Sequence, residues 1–129
     1  MADETTRSQL ARPQGRTALP QWTALVLFCS GRVVTDTLMV LPEGECVVGR
    51  SSQADLCLHA DASVSRRHAV FRRRGRQLQL TDLSSRNGTT VNGARITQAT
   101  LQDGDRIRLG DAFVMVRHQA TSPDLPLPE

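Results

Sequence analysis

Lysine is missing from this chain: all sixteen basic residues are arginine. Every fixed positive charge is therefore a planar guanidinium, able to grip phosphate or carboxylate through two bonds at once. Aromatics are scarce at 3 %, so a core must be built from Val, Leu, Ile and Ala, and stacking platforms for unpaired bases are few. Long apolar runs are also lacking. The longest, ALVLFC at 24–29, is strand-sized and far short of the ~20 residues that span a bilayer. The cysteines, Cys29, Cys46 and Cys57, are odd in number and form no C-x-x-C pair, which argues against a disulfide framework. Each lies in an apolar run and reads as a small buried hydrophobe, so a reducing cytoplasm is the expected location. The start, MADETTRSQLARPQGR, is acidic and has no apolar h-region, so it does not read as a secretory signal.

What is present fits one globular domain with tails: 129 residues, 39 % hydrophobic, net charge +3. Residues 1–20 are polar, carry Pro13 and Pro20, and show no periodicity; they read as a flexible tail. The end, 119–129, with ATSPDLPLPE, reads as a second, Pro-rich tail or the start of a linker. Between them, over 21–118, the hydrophobic period is two. Short runs such as ALVLFCS, ECVVG, HAVFRRR, RQLQLTDL, RIRLG and AFVMVRH alternate with turn residues such as PEGE, SSRNG, VNG and QDGD. Such spacing predicts an all-β sandwich or barrel. No helical stripe is visible. RRRGRQLQL predicts a hairpin turning at Gly75, with Leu78 and Leu80 facing the core. LQDGDRIRLGD predicts a turn at Asp103-Gly104-Asp105, with Leu101, Ile107 and Leu109 inward.

Three loop segments carry unusual chemistry: VVGRSSQADLCLH, ADASVSRRHAV and LSSRNGTTVNG. Each mixes hydroxyl, amide or guanidinium donors with turn residues. Loops gather at the ends of a sandwich, so the three can share one surface. Together their donors suit a doubly charged oxyanion such as phosphate.

In the order G-R, S-x-x-H, N-G, N-G, followed by L-x-D-G-D-x-I-x-L-G, these segments resemble the forkhead-associated (FHA) domain family over about residues 22–118. The resemblance implies a sandwich of about eleven mostly antiparallel strands. It also implies phosphothreonine-peptide binding through loops at one end, in signalling or transcriptional regulation, with no catalysis and no cofactor. Carried over by position, Arg50 and Ser65 are expected at the phosphate, with Arg66 beside them. Asn87 is expected to clamp the peptide main chain. Gly49, His68 and Gly88 shape the loops, and Asn92 and Gly93 are expected to support the binding loop from behind. Where many relatives have Ser or Thr before the N-G, this chain has Arg86, which adds positive charge at the rim and points to an acidic preference in the peptide.

Other readings compete. Ser65 and His68 could form a nucleophile and base, but there is no G-x-S-x-G elbow and no orienting acid is indicated. His59, His68 and His118 lack the close ligand spacing of zinc sites. Arg72, Arg73, Arg74 and Arg76 cluster at a hairpin. They form either a basic lip for acidic partners or a solvated strand tip in which one arginine snorkels. A phospho-independent scaffold and a basic nucleic-acid-binding domain are the alternative functions; the second lacks stacking aromatics and a recognition helix. The expected partner is a phosphothreonine protein, or the chain's own tail phosphorylated at Thr5 or Thr6, and neither nucleic acid nor a membrane.

Overall fold

A computed structural model describes the backbone of residues 20–120. The two tails expected at 1–20 and 119–129, with Thr5 and Thr6, lie outside the described residues or at their margin. Within residues 22–118 the chain forms strands and turns, with no helix; no helix there is long and apolar enough to cross a membrane.

Twelve strands are described: β1 Pro20–Cys29, β2 Arg32–Val33, β3 Leu38–Val40, β4 Gly44–Gly49, β5 Leu56–Cys57, β6 Ala69–Arg74, β7 Gln77–Asp82, β8 Thr89–Val91, β9 Ala94–Ile96, β10 Gln98–Thr100, β11 Arg106–Leu109 and β12 Ala112–Ala120. One sheet runs β9-β8-β11-β12-β1-β2, with β3 also beside β1; the other runs β10-β7-β6-β4-β5. The short β4–β5 pair is parallel; the other registers described are antiparallel. The period-two reading holds. Along β11 exposure alternates, with Ile107 and Leu109 buried and Arg106 and Arg108 exposed.

The inward faces meet in an aliphatic core that includes Val26, Leu41, Val48, Leu78, Leu80, Ile107, Val114 and Val116. Among the described residues, Trp22 and Phe71 are its only aromatic members. Of the cysteines, Cys46 fits the buried expectation; Cys29 is half-buried and Cys57 is exposed. The exception has a physical reason. Leu56 and Leu58 take the inward positions on either side of Cys57, and alternation turns Cys57 out.

The arginine hairpin also departs from one of its readings. β6 leaves the loop at His68 and runs away from it to the turn at Gly75, with Ala69 opposite Asp82 at one end and Arg74 opposite Gln77 at the other. Arg72–Arg76 therefore sit at the far end of the sheet from the 64–68 loop and form no lip over it. Arg73 is the snorkelling one. It shares the inward parity of Phe71, and its guanidinium escapes to main-chain oxygens, Nη1 to Leu41 O at 2.9 Å and Nε to Gly75 O at 2.9 Å. Arg72 pairs with Glu45 at 2.8 Å.

Candidate functional site

Three loops meet at the end where β4 stops and β6 starts: residues 50–55, 58–68 and 83–88. Each is first braced by a carboxylate or a close contact of its own. Asp61 accepts from the Ser63 hydroxyl at 2.6 Å, the Ser63 N–H at 3.1 Å and the Ser30 N–H at 2.7 Å. Burial alone would raise the Asp61 pKa; these hydrogen bonds outweigh it and hold the carboxyl below its ordinary value. Asp82 repeats the device, accepting from the Ser85 hydroxyl at 2.5 Å, the Ser85 N–H at 3.1 Å and the Thr89 hydroxyl at 2.7 Å. There too burial pushes the pKa up, and the hydrogen bonds from Ser85 and Thr89 bring it down further. Asp-x-Ser and Asp-x-x-Ser are local turn patterns, written in the sequence as DAS and DLSS.

The loops are then sewn together. Arg50 N–H donates to Ser65 O at 3.0 Å, and Ser51 N–H to Arg66 O at 3.2 Å. That approach requires Gly49: a Cβ there would stand 2.0 Å from Arg66 O. Arg50 Nε donates to Val64 O at 2.9 Å, which steers the rest of the guanidinium along the 64–66 segment. Arg86 N–H donates to the Ser65 hydroxyl oxygen at 3.0 Å. Asn87 Nδ2 donates to Ser63 O at 2.8 Å.

His68 is the keystone beneath them and is fully buried. Its Nδ1 accepts the Ser65 N–H at 3.0 Å. Nε2 must then carry the proton and donate to Gly88 O, 2.8 Å away. Burial lowers its pKa below the ordinary histidine value, only partly offset by the Gly88 carbonyl and Asp82. The ring is neutral and joins the second loop to the third. Gly88 itself takes a left-handed φ of 86°, which lets the chain turn into β8. Both ring nitrogens of His68 are thus occupied by main chain, so the imidazole is not placed as a base for the Ser65 hydroxyl.

What faces outward is a small concavity of about 190 Å³, lined by Arg50, Ser63, Ser65, Arg66 and Arg86 together with Ala62 and Val64. Among the described residues three guanidinium groups and two hydroxyls line it, and no carboxylate does. The Arg66 and Arg86 side chains are exposed and hold no partner among the described residues. Ser65 Oγ accepts from Arg86 N–H, so its own proton is free to be given away. The arrangement can take a compact, multiply charged oxyanion and satisfy several of its oxygens at once.

Of the residues singled out in the sequence, Gly49, Arg50, Ser65, Arg66, His68, Arg86, Asn87 and Gly88 come together here. Asn92 and Gly93 do not. They form the turn at the other end of the β8–β9 hairpin, with φ of 51° and 90°. There Asn92 Nδ2 donates to Asp105 at 2.9 Å, and Arg106 N–H donates to Asn92 Oδ1 at 2.9 Å. Their support goes to the Asp103-Gly104-Asp105 turn and not to the loop at 85–88, which is a full strand away. Asp61, Ser63, Asp82 and Ser85 complete the site beyond the residues expected from the sequence. Ser63 is central: its hydroxyl accepts from Asp111 N–H at 2.8 Å while its carbonyl holds Asn87.

Comparison with known proteins agrees with this geometry. The FHA domain family matches residues 46–110. The FHA domain-containing protein FhaA of Mycobacterium tuberculosis is 47 % identical over 60 % of this chain, which spans 14 % of FhaA. The oxoglutarate dehydrogenase inhibitor of Corynebacterium jeikeium is 37 % identical over 78 % of this chain and 68 % of its own length. Among solved structures, one from a structural and functional analysis of phosphothreonine-dependent FHA domain interactions is 39 % identical, covers 80 % of this chain and 98 % of its own, and has a TM-score of 0.66. The FhaA FHA domain complexed with the intracellular domain of Rv3910 is 41 % identical over 74 % of this chain and 99 % of its own, with a TM-score of 0.63. The family match spans the three loops, and the chain belongs to the FHA domain family.

Proposed function

We propose that residues 22–118 bind a phosphothreonine peptide, and act by binding and not by catalysis. The observation that carries this reading is the carboxylate-free concavity in which Arg50, Arg66 and Arg86 surround the Ser65 hydroxyl. A phosphorylated side chain brings about −1.5 to −2 charges and three acceptor oxygens at pH 7. In this reading the arginines and Ser65 meet those oxygens, and Asn87, held on Ser63 O, uses its side-chain oxygen to fix the peptide main chain. That related FHA domains are described through phosphothreonine-dependent interactions supports the choice of ligand. A hydrolytic role finds no support in a histidine whose two nitrogens are committed to Ser65 N–H and Gly88 O.

The test is fluorescence anisotropy with one peptide in three forms: phosphothreonine, phosphoserine and unmodified. Micromolar binding of the phosphothreonine form alone is expected. Arg50→Ala should weaken it at least tenfold, since a charge-assisted bond contributes about 1.5–3 kcal/mol. Equal affinity for all three peptides would overturn the reading and favour a phospho-independent scaffold.

A further inference from the structure

On the outer face of the β9-β8-β11-β12 sheet, four residues stand directly opposite one another: Arg95, Thr90, Arg108 and Phe113. Arg106 is two positions from Arg108 on the same face of β11. Neighbouring strands lie about 4.8 Å apart and alternate residues about 7 Å apart. Three guanidinium groups therefore share a patch on the order of 10 Å across.

Two concavities open on this face, of about 560 and 390 Å³. Thr90 and Arg108 line both, so they form one trough. Arg106, Asn92 and Phe113 line one end; Arg95, Asn87 and Gly88 line the other. The second end abuts the phosphate-binding loops. The Arg95 guanidinium lies against Gly88, so close that a Cβ there would be 2.5 Å from Arg95 Nε. Asn87 is itself bonded to Ser63 of the loop lining the phosphate concavity.

The charges in the trough are unbalanced. The one carboxylate lining it among the described residues, Asp111, is already paired with Arg108 at 3.1 Å. Arg108 also donates to Gly110 O at 2.7 Å and lies 5.9 Å from the centre of the Phe113 ring. The Arg95 and Arg106 side chains are exposed and have no partner among the described residues. Phe113 at 38 % exposure leaves an apolar step beside the charges. A surface with unspent guanidinium groups and a ring at the side fits an acidic polypeptide carrying an occasional apolar residue.

From this we infer that the trough is a second binding site, for an acidic segment of the same partner that presents the phosphothreonine. The inference rests on the phosphothreonine reading for its partner, and its own prediction is separable. Two phosphothreonine peptides are compared, one with a neutral flank and one with a flank rich in Asp and Glu, against wild type and the Arg95→Gln/Arg106→Gln variant. Glutamine keeps most of the stem and removes the charge, and both sites are exposed. The acidic flank should improve wild-type affinity on the order of fivefold, as expected for two exposed ion pairs. The variant should lose that gain, yet bind the neutral peptide as wild type does.

An acidic flank that gives less than a twofold gain, or a gain that survives in the variant, overturns the inference. If the neutral phosphopeptide fails to bind wild type, the phosphothreonine reading falls instead. The trough is then decided by NMR titration with the unphosphorylated acidic peptide: amide shifts at Thr90, Arg95 and Arg108 that the variant abolishes uphold it, and their absence sinks it. A duplex or single-stranded oligonucleotide that shifts the same amides at lower concentration than the acidic peptide replaces the partner class and refutes the proposal.

Discussion

Gly49→Ala adds one methyl group and removes no charge, hydroxyl or amide, so it asks whether the loops must touch. The new Cβ would lie 2.0 Å from Arg66 O and 2.7 Å from Arg66 C. These are main-chain atoms and cannot rotate aside. To reach ordinary contact the Arg66 carbonyl has to retreat by roughly 1.4 Å. Such a shift breaks the bonds from Arg50 N–H to Ser65 O and from Ser51 N–H to Arg66 O. Two net hydrogen bonds amount to about 1–3 kcal/mol, a fall in Tm of roughly 5–20 °C for a domain of this size. Urea denaturation and a thermal scan read that loss. Anisotropy reads the other half: Ser65 and Arg66 move away from Arg50, and phosphopeptide affinity should drop at least tenfold. Gly75→Ala is the control. It lies at the distant hairpin with nothing within 4 Å and φ of 60°. It should cost about 1 kcal/mol for the left-handed backbone and leave binding alone. The reasoning is refuted if Gly49→Ala keeps wild-type stability and affinity, or if the two substitutions behave alike.

Three further outcomes follow from the loops. His68, Asp61 and Asp82 all have lowered pKa values in the fold. The unfolded chain therefore binds more protons, so their contribution is complete above about pH 6.5. The His68 part is lost as pH falls below that, and the Asp parts as pH falls through 3.8 and lower. Stability by urea titration at about pH 7.5, 5 and 3 should decline in two steps, and His68→Gln should remove the first. Asp82→Asn weakens the carboxylate that takes Ser85 and Thr89; the expected cost is about 1.5–3 kcal/mol, read by chemical denaturation, with weaker phosphopeptide binding because Arg86 and Asn87 hang from that turn. Arg74→Gln/Arg76→Gln should leave phosphopeptide affinity within a factor of two, because that hairpin is at the wrong end of the sheet; a larger fall by anisotropy would show that it reaches the ligand.

The parts of this molecule legible in the sequence are those written locally. Alternation in RIRL and LQL fixes which residues face inward, and the Gly75 and Gly104 turns are visible as glycine between strand-like runs. Arg50, Ser65 and Asn87 stand out because motifs mark them. The binding loops' internal scaffolding was less visible, since Ser63 matters only once Asn87 and Asp111, distant in sequence, arrive beside it. DAS and DLSS did offer a signal, as Asp followed by Ser two or three residues on. The arginine hairpin shows a different limit. Its distance from the loops could have been worked out by following β6 away from His68, but charge composition alone draws it toward any anionic ligand. Cys57 fails for a similar reason, because an apolar neighbourhood says less than the parity of the strand.

The indole of Trp22 donates to Arg76 O at 2.9 Å and stacks on the His118 ring at 4.6 Å. This is the only tryptophan in the chain, and Arg76 belongs to the hairpin farthest from the recognition loops. Its emission is therefore a private gauge of the first and last strands. It will report when the sandwich comes apart and stay silent when a ligand docks, so one optical signal can follow unfolding while a dye on the peptide follows occupancy.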